Sequence, residues 1–395
     1  MTAPVRAAII GTGMIAAAHL RGARDASAQV IGVLGSTAER SRQTADDWNV
    51  PVGYSSVEEL INDRPDVVHI CTPNDTHVSY AIAATDAGLH TIVEKPVATT
   101  LSDARALADA VRRAGTISTV PYVYRYHPLV REIRARIQSG VFGRVLTVHG
   151  SYLQDWLVSP EASTWRVDPA IGGPSRAFAD IGTHWCDLVE FVTGSRFTEL
   201  HARTSIAYAD RPDPRAGGAS FGGDATGEHA AERVRVQTED TAVVTFLSDH
   251  GYLANTVISQ VAAGRKNRLW FEIDGSEGSA VFNQEQPESV WLGRENGSTI
   301  LHRGEGTVSA DQARLNRTPP GHPQGWTDAF AAFIADSYAA VRGAVPDGLP
   351  TVEDGVRSLE LVDAVLGSAR TGDRTAIEHP LNDTLTAETS TTEAA

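Results

Sequence analysis

Cysteine is nearly absent: Cys71 and Cys186 are the whole supply in 395 residues. Two thiols cannot build a disulfide framework and are too few for a Cys-rich zinc site, so no metal centre is expected. Cys71 sits inside an apolar run and reads as core. Long apolar runs are missing as well. None approaches the roughly 20 residues a bilayer-crossing helix requires, which excludes membrane spanning. Positive charge is short: 34 Lys and Arg against 49 Asp and Glu leave a formal charge of −15. Nucleic-acid binding draws on a basic face that releases counterions, so no nucleic acid is expected and a small neutral or cationic ligand fits better. No charged and apolar targeting segment precedes the first strand, and a cytoplasmic setting is expected.

What remains is an ordinary globular composition, 42% hydrophobic and 21% charged, in a chain long enough for two cores. Apolar strand-like runs over 5–10, 29–34, 66–71, 90–93 and 117–120 alternate with helical periodicity over 14–24, 38–48, 76–87 and 101–114. That alternation predicts a parallel, doubly wound α/β sheet. The pattern changes after Pro121. A helix near 129–138 leads to a strand over 144–152, a Trp-rich irregular stretch and a helix near 181–193. Alternating segments at 197–206, 242–247, 253–261, 269–273 and 279–282 read as an antiparallel sheet. The Gly-, Asp- and Arg-rich stretch 209–232 reads as a long loop or a disordered excursion. Helices over 325–341 and 352–371 close the fold. The division expected is 1–121, 122–380 and a disordered tail, 381–395.

Gly11-Thr12-Gly13-Met14-Ile15-Ala16 stands between the first strand and the first helix and matches G-x-G-x-x-G/A. Gly11 permits the tight turn, Gly13 lets backbone approach a pyrophosphate, and Ala16 lets helix pack on strand. The helix start at Met14 and Ile15 then presents free N–H groups and a positive dipole end to that anion. The second strand ends in Gly35-Ser36-Thr37-Ala38-Glu39-Arg40 without the carboxylate that binds a ribose 2′-hydroxyl. Ser36, Thr37 and Arg40 suit a 2′-phosphate, although Glu39 could pair with Arg40. The cofactor is NAD or NADP, and both stay open.

Glu94-Lys95-Pro96 closes the strand over 90–93, and open α/β sheets bind ligands outside the carboxyl ends of their strands. Asp180 and His184, four apart at a predicted helix start, share one helical face. They could be a cap and a structural histidine, but Lys95 suggests more. Oxidising an alcohol needs a base for the hydroxyl proton, which suits His184, and an ammonium such as Lys95 to stabilise the alkoxide. Asp180 would orient His184 or hold a second hydroxyl. The two basic groups titrate as a unit, so the choice of base between Lys95 and His184 is open. Gln154, Asp155, Trp156, Trp165, Arg166 and Arg176 surround these positions in sequence. Indole faces stack on sugar rings and Gln, Asp or Arg bind hydroxyls, so a carbohydrate is the economical ligand.

Together, the Gly11 turn with His19 behind it, Thr72-Pro73-Asn74 with His77, Glu94-Lys95-Pro96, and Asp180-x-x-x-His184 resemble the glucose-fructose oxidoreductase, inositol dehydrogenase and MocA family. The resemblance covers nearly the whole chain. It implies a Rossmann NAD(P)-binding domain followed by a substrate-binding α/β domain on a large, mostly antiparallel open sheet that also mediates homodimers or homotetramers. It implies catalysis by Lys95, Asp180 and His184, and a cofactor cleft lined by Thr72, Pro73, Asn74, His77 and Glu94, with Trp165 and Arg166 beside it. His322, in the segment before the penultimate helix, would reach substrate. One departure is local: Gly172-Gly173 stands further upstream of Asp180 than the family's glycine run, so a substrate-side loop of another shape is expected. The activity implied is oxidation of a secondary hydroxyl of a sugar, anhydrosugar, glycoside or inositol to a ketone. The alternatives are reduction of a ketosugar in reverse, or NAD(P) sensing without turnover, which would need none of the three reacting residues.

Overall fold

The computed structural model describes residues 3–213, 232–306 and 308–377; the expected tail 381–395 and most of the stretch 209–232 lie outside them. The amino-terminal half runs β1 Arg6–Ile10, α1 Met14–Asp25, β2 Gln29–Leu34, α2 Ala38–Trp48, β3 Val52–Tyr54, α3 Val57–Asn62, β4 Val67–Ile70, α4 His77–Asp86, β5 His90–Val93, α5 Leu101–Ala114 and β6 Ser118–Thr119. All neighbours are parallel in the order β3-β2-β1-β4-β5-β6. Helices cover both faces, which is why the strands read as continuous apolar runs: Ala7, Ala8, Ile9 and Ile10 are all buried. Because β1 lies between β2 and β4, the strand order reverses there and opens a crevice at the carboxyl ends.

The chain then forms α6 Pro128–Gln138, β7 Val145–Leu153, a short α7 Pro169–Gly172 and α8 Thr183–Thr193, followed by β8 Phe197–Ser205 and a small antiparallel ribbon of β9 Asp210–Pro212 with β10 Arg233–Arg235. Its first strand lies in the described start of the stretch read as a loop, and its second begins just past that stretch's end. Next come β11 Thr241–Ser248, β12 Leu253–Ser259, β13 Arg268–Gly275, β14 Ser279–Asn283, β15 Ser289–Arg294 and β16 Gly297–His302. After α9 Ala310–Leu315, α10 Trp326–Val341 and α11 Val352–Thr371, β17 Thr375–Ala376 ends the described chain. The second sheet has nine strands, β16-β15-β14-β13-β7-β12-β11-β8-β17. It is antiparallel except at β7–β12, which is parallel because β12 returns to the sheet beside the strand that opened it. One face packs under α6 and α8 with Trp185, Phe197 and Phe246 stacked in its core; the other is open.

The last two long helices do not stay with the second sheet. Ala329, Phe330, Phe333, Ile334 and Tyr338 of α10 join α1 on one face of the parallel sheet. Helix α11 buries Val352, Val356 and Leu359 against α5 and Leu361, Val362 and Val365 in the core of the second sheet. A single helix of 20 residues, about 30 Å long, thus belongs to both cores. No described helix is long and apolar enough to cross a membrane.

Candidate active site

The carboxyl ends of β1, β2, β4 and β5 face the loops around β7 and α8 across a cavity of ≈ 660 Å³. At its floor Gly11 holds φ +120°, and a Cβ there would stand 2.5 Å from the Cys71 carbonyl oxygen, so only glycine passes. The Gly11 N–H donates to Leu34 O at 2.8 Å, tying β1 to β2. Gly13 does the opposite: a Cβ would meet nothing within 4 Å, and its bare backbone caps α1 with no side-chain bond and no acid in the first turn. The first N–H groups of α1 therefore remain for an external anion. Open lane, bare helix start and obligatory glycine fit a dinucleotide pyrophosphate. Met14, 56% exposed, and Ile15 form the rim.

At one end Ser36 lines the cavity, while Thr37 and Arg40 do not. Thr37 Oγ1 instead accepts the Arg40 N–H to cap α2, and Arg40 Nε reaches Thr12 Oγ1 at 3.4 Å from outside. No carboxylate stands at this end; the acids among the described lining residues are Glu94 and Asp180 at the other. Thr72, Pro73, Asn74 and His77 line the middle. Asn74 Nδ2 donates to Gly172 O at 3.1 Å, joining the β4 loop to α7, and the His77 ring nitrogens lie 2.7 Å from Pro96 O and 2.8 Å from Thr72 O.

Lys95, one of two lysines in the chain with Lys266, donates from Nζ to Asp180 Oδ1 at 2.7 Å and to Asp180 O at 2.9 Å. Gln260 Nε2 donates to the other carboxylate oxygen at 2.8 Å, and Arg166 Nε, whose guanidinium stacks on Trp165, stands 3.6 Å from Oδ1. Burial raises the Asp180 carboxyl, but the charges of Lys95 and Arg166 outweigh it and hold it well below the usual range. His184 makes no hydrogen bond to a described residue; the rings of Tyr122 and Tyr124 abut it edge-on at 5.4 and 5.2 Å. Burial first, then repulsion from Lys95, pushes its imidazole well below its ordinary value. The expected orienting bond from Asp180 is therefore not made. Asp180 lies in a π turn, Phe178–Gly182, ahead of α8, so spacing of four does not hand its carboxylate to His184. Tyrosine packing holds the imidazole instead and leaves both ring nitrogens to the cavity.

A polar wall faces these groups that the sequence did not reveal. Asn267 Nδ2 donates to Tyr124 Oη at 3.1 Å, Tyr152 Oη donates to Asn267 Oδ1 at 2.7 Å, and the two phenols lie 2.6 Å apart. Since the Tyr152 proton is committed to Asn267, Tyr124 must donate to Tyr152 and the ring closes. Gln154 Nε2 fills the second lone pair of Asn267 Oδ1 at 3.0 Å. Gln154 Oε1 is buried without a partner among the described residues. Tyr152 was within reach of the sequence, because strand alternation puts it on the same face as Gln154. Asn267 was not, being 113 residues from Gln154.

Three expected substrate residues lie elsewhere. Asp155 turns away to Lys266 Nζ at 2.6 Å and the Gly264 N–H. Arg176 is wholly buried against Asp240 and Thr238, where a guanidinium finds charge neutralisation a sugar could not supply. His322 is exposed and bonds through its backbone: its N–H donates to Pro319 O at 3.1 Å, and its oxygen accepts from Arg303 and Thr318. Trp156, Trp165 and Arg166 do line the cavity.

Residues 5–122 match the family described as "Oxidoreductase family, NAD-binding Rossmann fold", and residues 130–281 the "GFO/IDH/MocA C-terminal domain". The chain is 35% identical to levoglucosan dehydrogenase of Pseudarthrobacter phenanthrenivorans over 67% of its own length and 65% of that enzyme's. It is 30% identical to 1,5-anhydro-D-fructose reductase of Ensifer adhaerens over 94% of its length and 98% of the relative's. The solved structure of levoglucosan dehydrogenase in complex with NADH and L-sorbose superposes with a TM-score of 0.85 at 27% identity, covering 95% of this chain and 99% of that one. The chain belongs to the GFO/IDH/MocA family of NAD(P)-dependent oxidoreductases, and its amino-terminal domain is that family's NAD-binding Rossmann fold.

Proposed function

We propose that this enzyme oxidises a secondary hydroxyl of a sugar, anhydrosugar, glycoside or inositol to a ketone, with His184 as base and Lys95 as the group that steadies the developing oxyanion. The observation that carries the reading is the pairing of a charged Lys95 on Asp180 with an unbonded imidazole at His184 in one cavity. A depressed imidazole is neutral at physiological pH and ready to take a proton. Asp180 holds the Lys95 amine in place, and it can donate to a substrate oxygen without leaving the site. Bound nicotinamide supplies the hydride acceptor. Gln154, Asn267 and Tyr124 line the same cavity with polar side chains, which favours a polyol over a simple alcohol. Trp156 and Trp165 line the cavity, and the relatives named for levoglucosan and anhydrofructose support a cyclic sugar.

The same groups run in reverse, with His184 returning the proton, and the similarity to a named reductase favours keeping that direction as a second reading. We further infer a homodimer or homotetramer built on the open sheet face, and a reducing, cytoplasmic setting for two free, buried thiols. Lys95→Ala and His184→Ala are each expected to lower kcat about 10²-fold or more with nucleotide Kd retained. Near-normal turnover of both variants against a panel of inositols, aldoses, glycosides and anhydrosugars would overturn the mechanism.

A further inference from the structure

Behind the cavity a file of four side chains runs through the core of the Rossmann half. Glu94 Oε1 lies 3.0 Å from His19 Nε2, His19 Nδ1 lies 2.8 Å from His69 Nδ1, and His69 Nε2 lies 2.8 Å from Tyr338 Oη. His19 and His69 are 0% exposed, Tyr338 2% and Glu94 6%. Each gap holds one proton. The Tyr338 hydroxyl has His69 as its hydrogen-bond partner among the described residues, so it donates to Nε2. His69 then donates from Nδ1 to His19 Nδ1, and His19 donates from Nε2 to Glu94. This assignment leaves each imidazole with one N–H and places the single charge of the file on the Glu94 carboxylate. The far end is a phenol sealed in the core, so the file leads no proton to solvent and acts as a clamp.

The groups facing Glu94 from the neighbouring elements are His19 on α1, Cys71 beyond β4, His77 on α4 and Lys95 next in the chain. Burial raises the Glu94 carboxyl, while the His19 hydrogen bond and the nearby positive charge more than offset that and hold it below its usual range. Its other oxygen accepts the Lys95 backbone N–H at 3.1 Å. Lys95 and Asp180 offset each other at 2.7 Å. Glu94 therefore adds a fixed negative charge to the wall of the cavity.

We infer that Glu94, held by the His19–His69–Tyr338 file, makes the site discriminate between the two redox forms of nicotinamide, favouring the oxidised cation over the neutral reduced ring. The inference rests on the nicotinamide end of the dinucleotide entering the cavity beside Lys95. A unit charge within about 10 Å, at an effective dielectric near 20, changes the affinity for a cation roughly tenfold, and leaves a neutral ring almost untouched.

The test is the ratio of Kd for reduced nucleotide to Kd for oxidised nucleotide, measured on the full chain by fluorescence and calorimetry. Glu94→Gln, which keeps shape and removes charge, is expected to lower the ratio about tenfold, whereas Glu94→Asp, which keeps charge and shortens the side chain, stays near wild type. A purely structural role would reverse that ranking, because Gln fills the site and Asp does not. His19→Leu leaves the carboxyl without its donor and lets it take up a proton, so the ratio falls at pH 6 and recovers at pH 9. His19→Gln, which can donate, holds it at both. An unchanged ratio in Glu94→Gln overturns the inference, and if His19→Leu does not fold the Glu94 pair decides alone. Failure of the wild type to bind either nucleotide would overturn the dinucleotide reading instead.

Discussion

The role proposed for His184 rests on where it sits. Burial and the Lys95 ammonium both disfavour its protonated form, so the imidazole stays neutral well below pH 6.5. A base must be unprotonated, so kcat/KM is expected to hold as pH falls through 6.5 and decline only below it; an acid limb at or above 6.5 in the pH profile would contradict this. The stability sign follows the same way. The unfolded chain binds that proton more readily than the folded one, so His184 erodes stability as pH drops below 6.5. Lys95, Asp180 and His184 were legible in sequence because a strand-end lysine and a clustered acid and imidazole are short-range patterns. Arg176 misled for the same reason: its true partner, Asp240, lies 64 residues on, and no local pattern shows a buried ion pair forming.

The Gly11 turn is the element on which the nucleotide end depends. Its φ of +120° strains any side chain, and a methyl would collide with the Cys71 carbonyl just past the neighbouring strand. Gly11→Ala is expected to cost about 2 kcal/mol or more of folding stability, and to weaken nucleotide binding, read as a lower Tm and a raised Kd. A variant with wild-type Tm and Kd would show that the turn relaxes freely. The long elements here followed from periodicity: α2, α5, β2, β5 and α11 begin and end where their patterns do. Short ones did not. Strand β3 has three residues and α3 six, too few for a period to emerge, and β15 and β16 carry no clean alternation. The π turn before α8 was likewise invisible, since one extra residue in a helical turn leaves the apolar spacing nearly intact.

At the scale of the molecule, the proposed oligomer would cover the open sheet face. Val243 pairs across strands with Val257 and Leu247 with Leu253, and all four are exposed, Leu253 at 64%. The two apolar pairs flank the polar pair Thr245–Asn255 on the same face, and exposed apolar side chains so grouped suit the proposed contact between copies. Its opposite face carries the core and the cavity lies at the sheet's end, so Leu253→Lys with Val257→Lys is expected to reduce the oligomer to a smaller species in light scattering while nucleotide Kd holds. A monomeric wild type would remove this proposal.

Sequence alone determined the alternating amino-terminal half, the glycine turn, the change of pattern at Pro121 and the choice of Lys95, Asp180 and His184 as the residues proposed to react, because each is set by local periodicity or a short motif. Only the tertiary structure decided that α10 and α11 return to the Rossmann half, that Asp180 serves Lys95 rather than His184, and that Tyr124, Tyr152 and Asn267 close into one polar wall. It also joined Glu94 through two histidines to Tyr338, 244 positions further along the chain. These are contacts between distant segments, fixed when apolar burial packs helices onto sheets, and the spacing of residues along the chain carries no record of them.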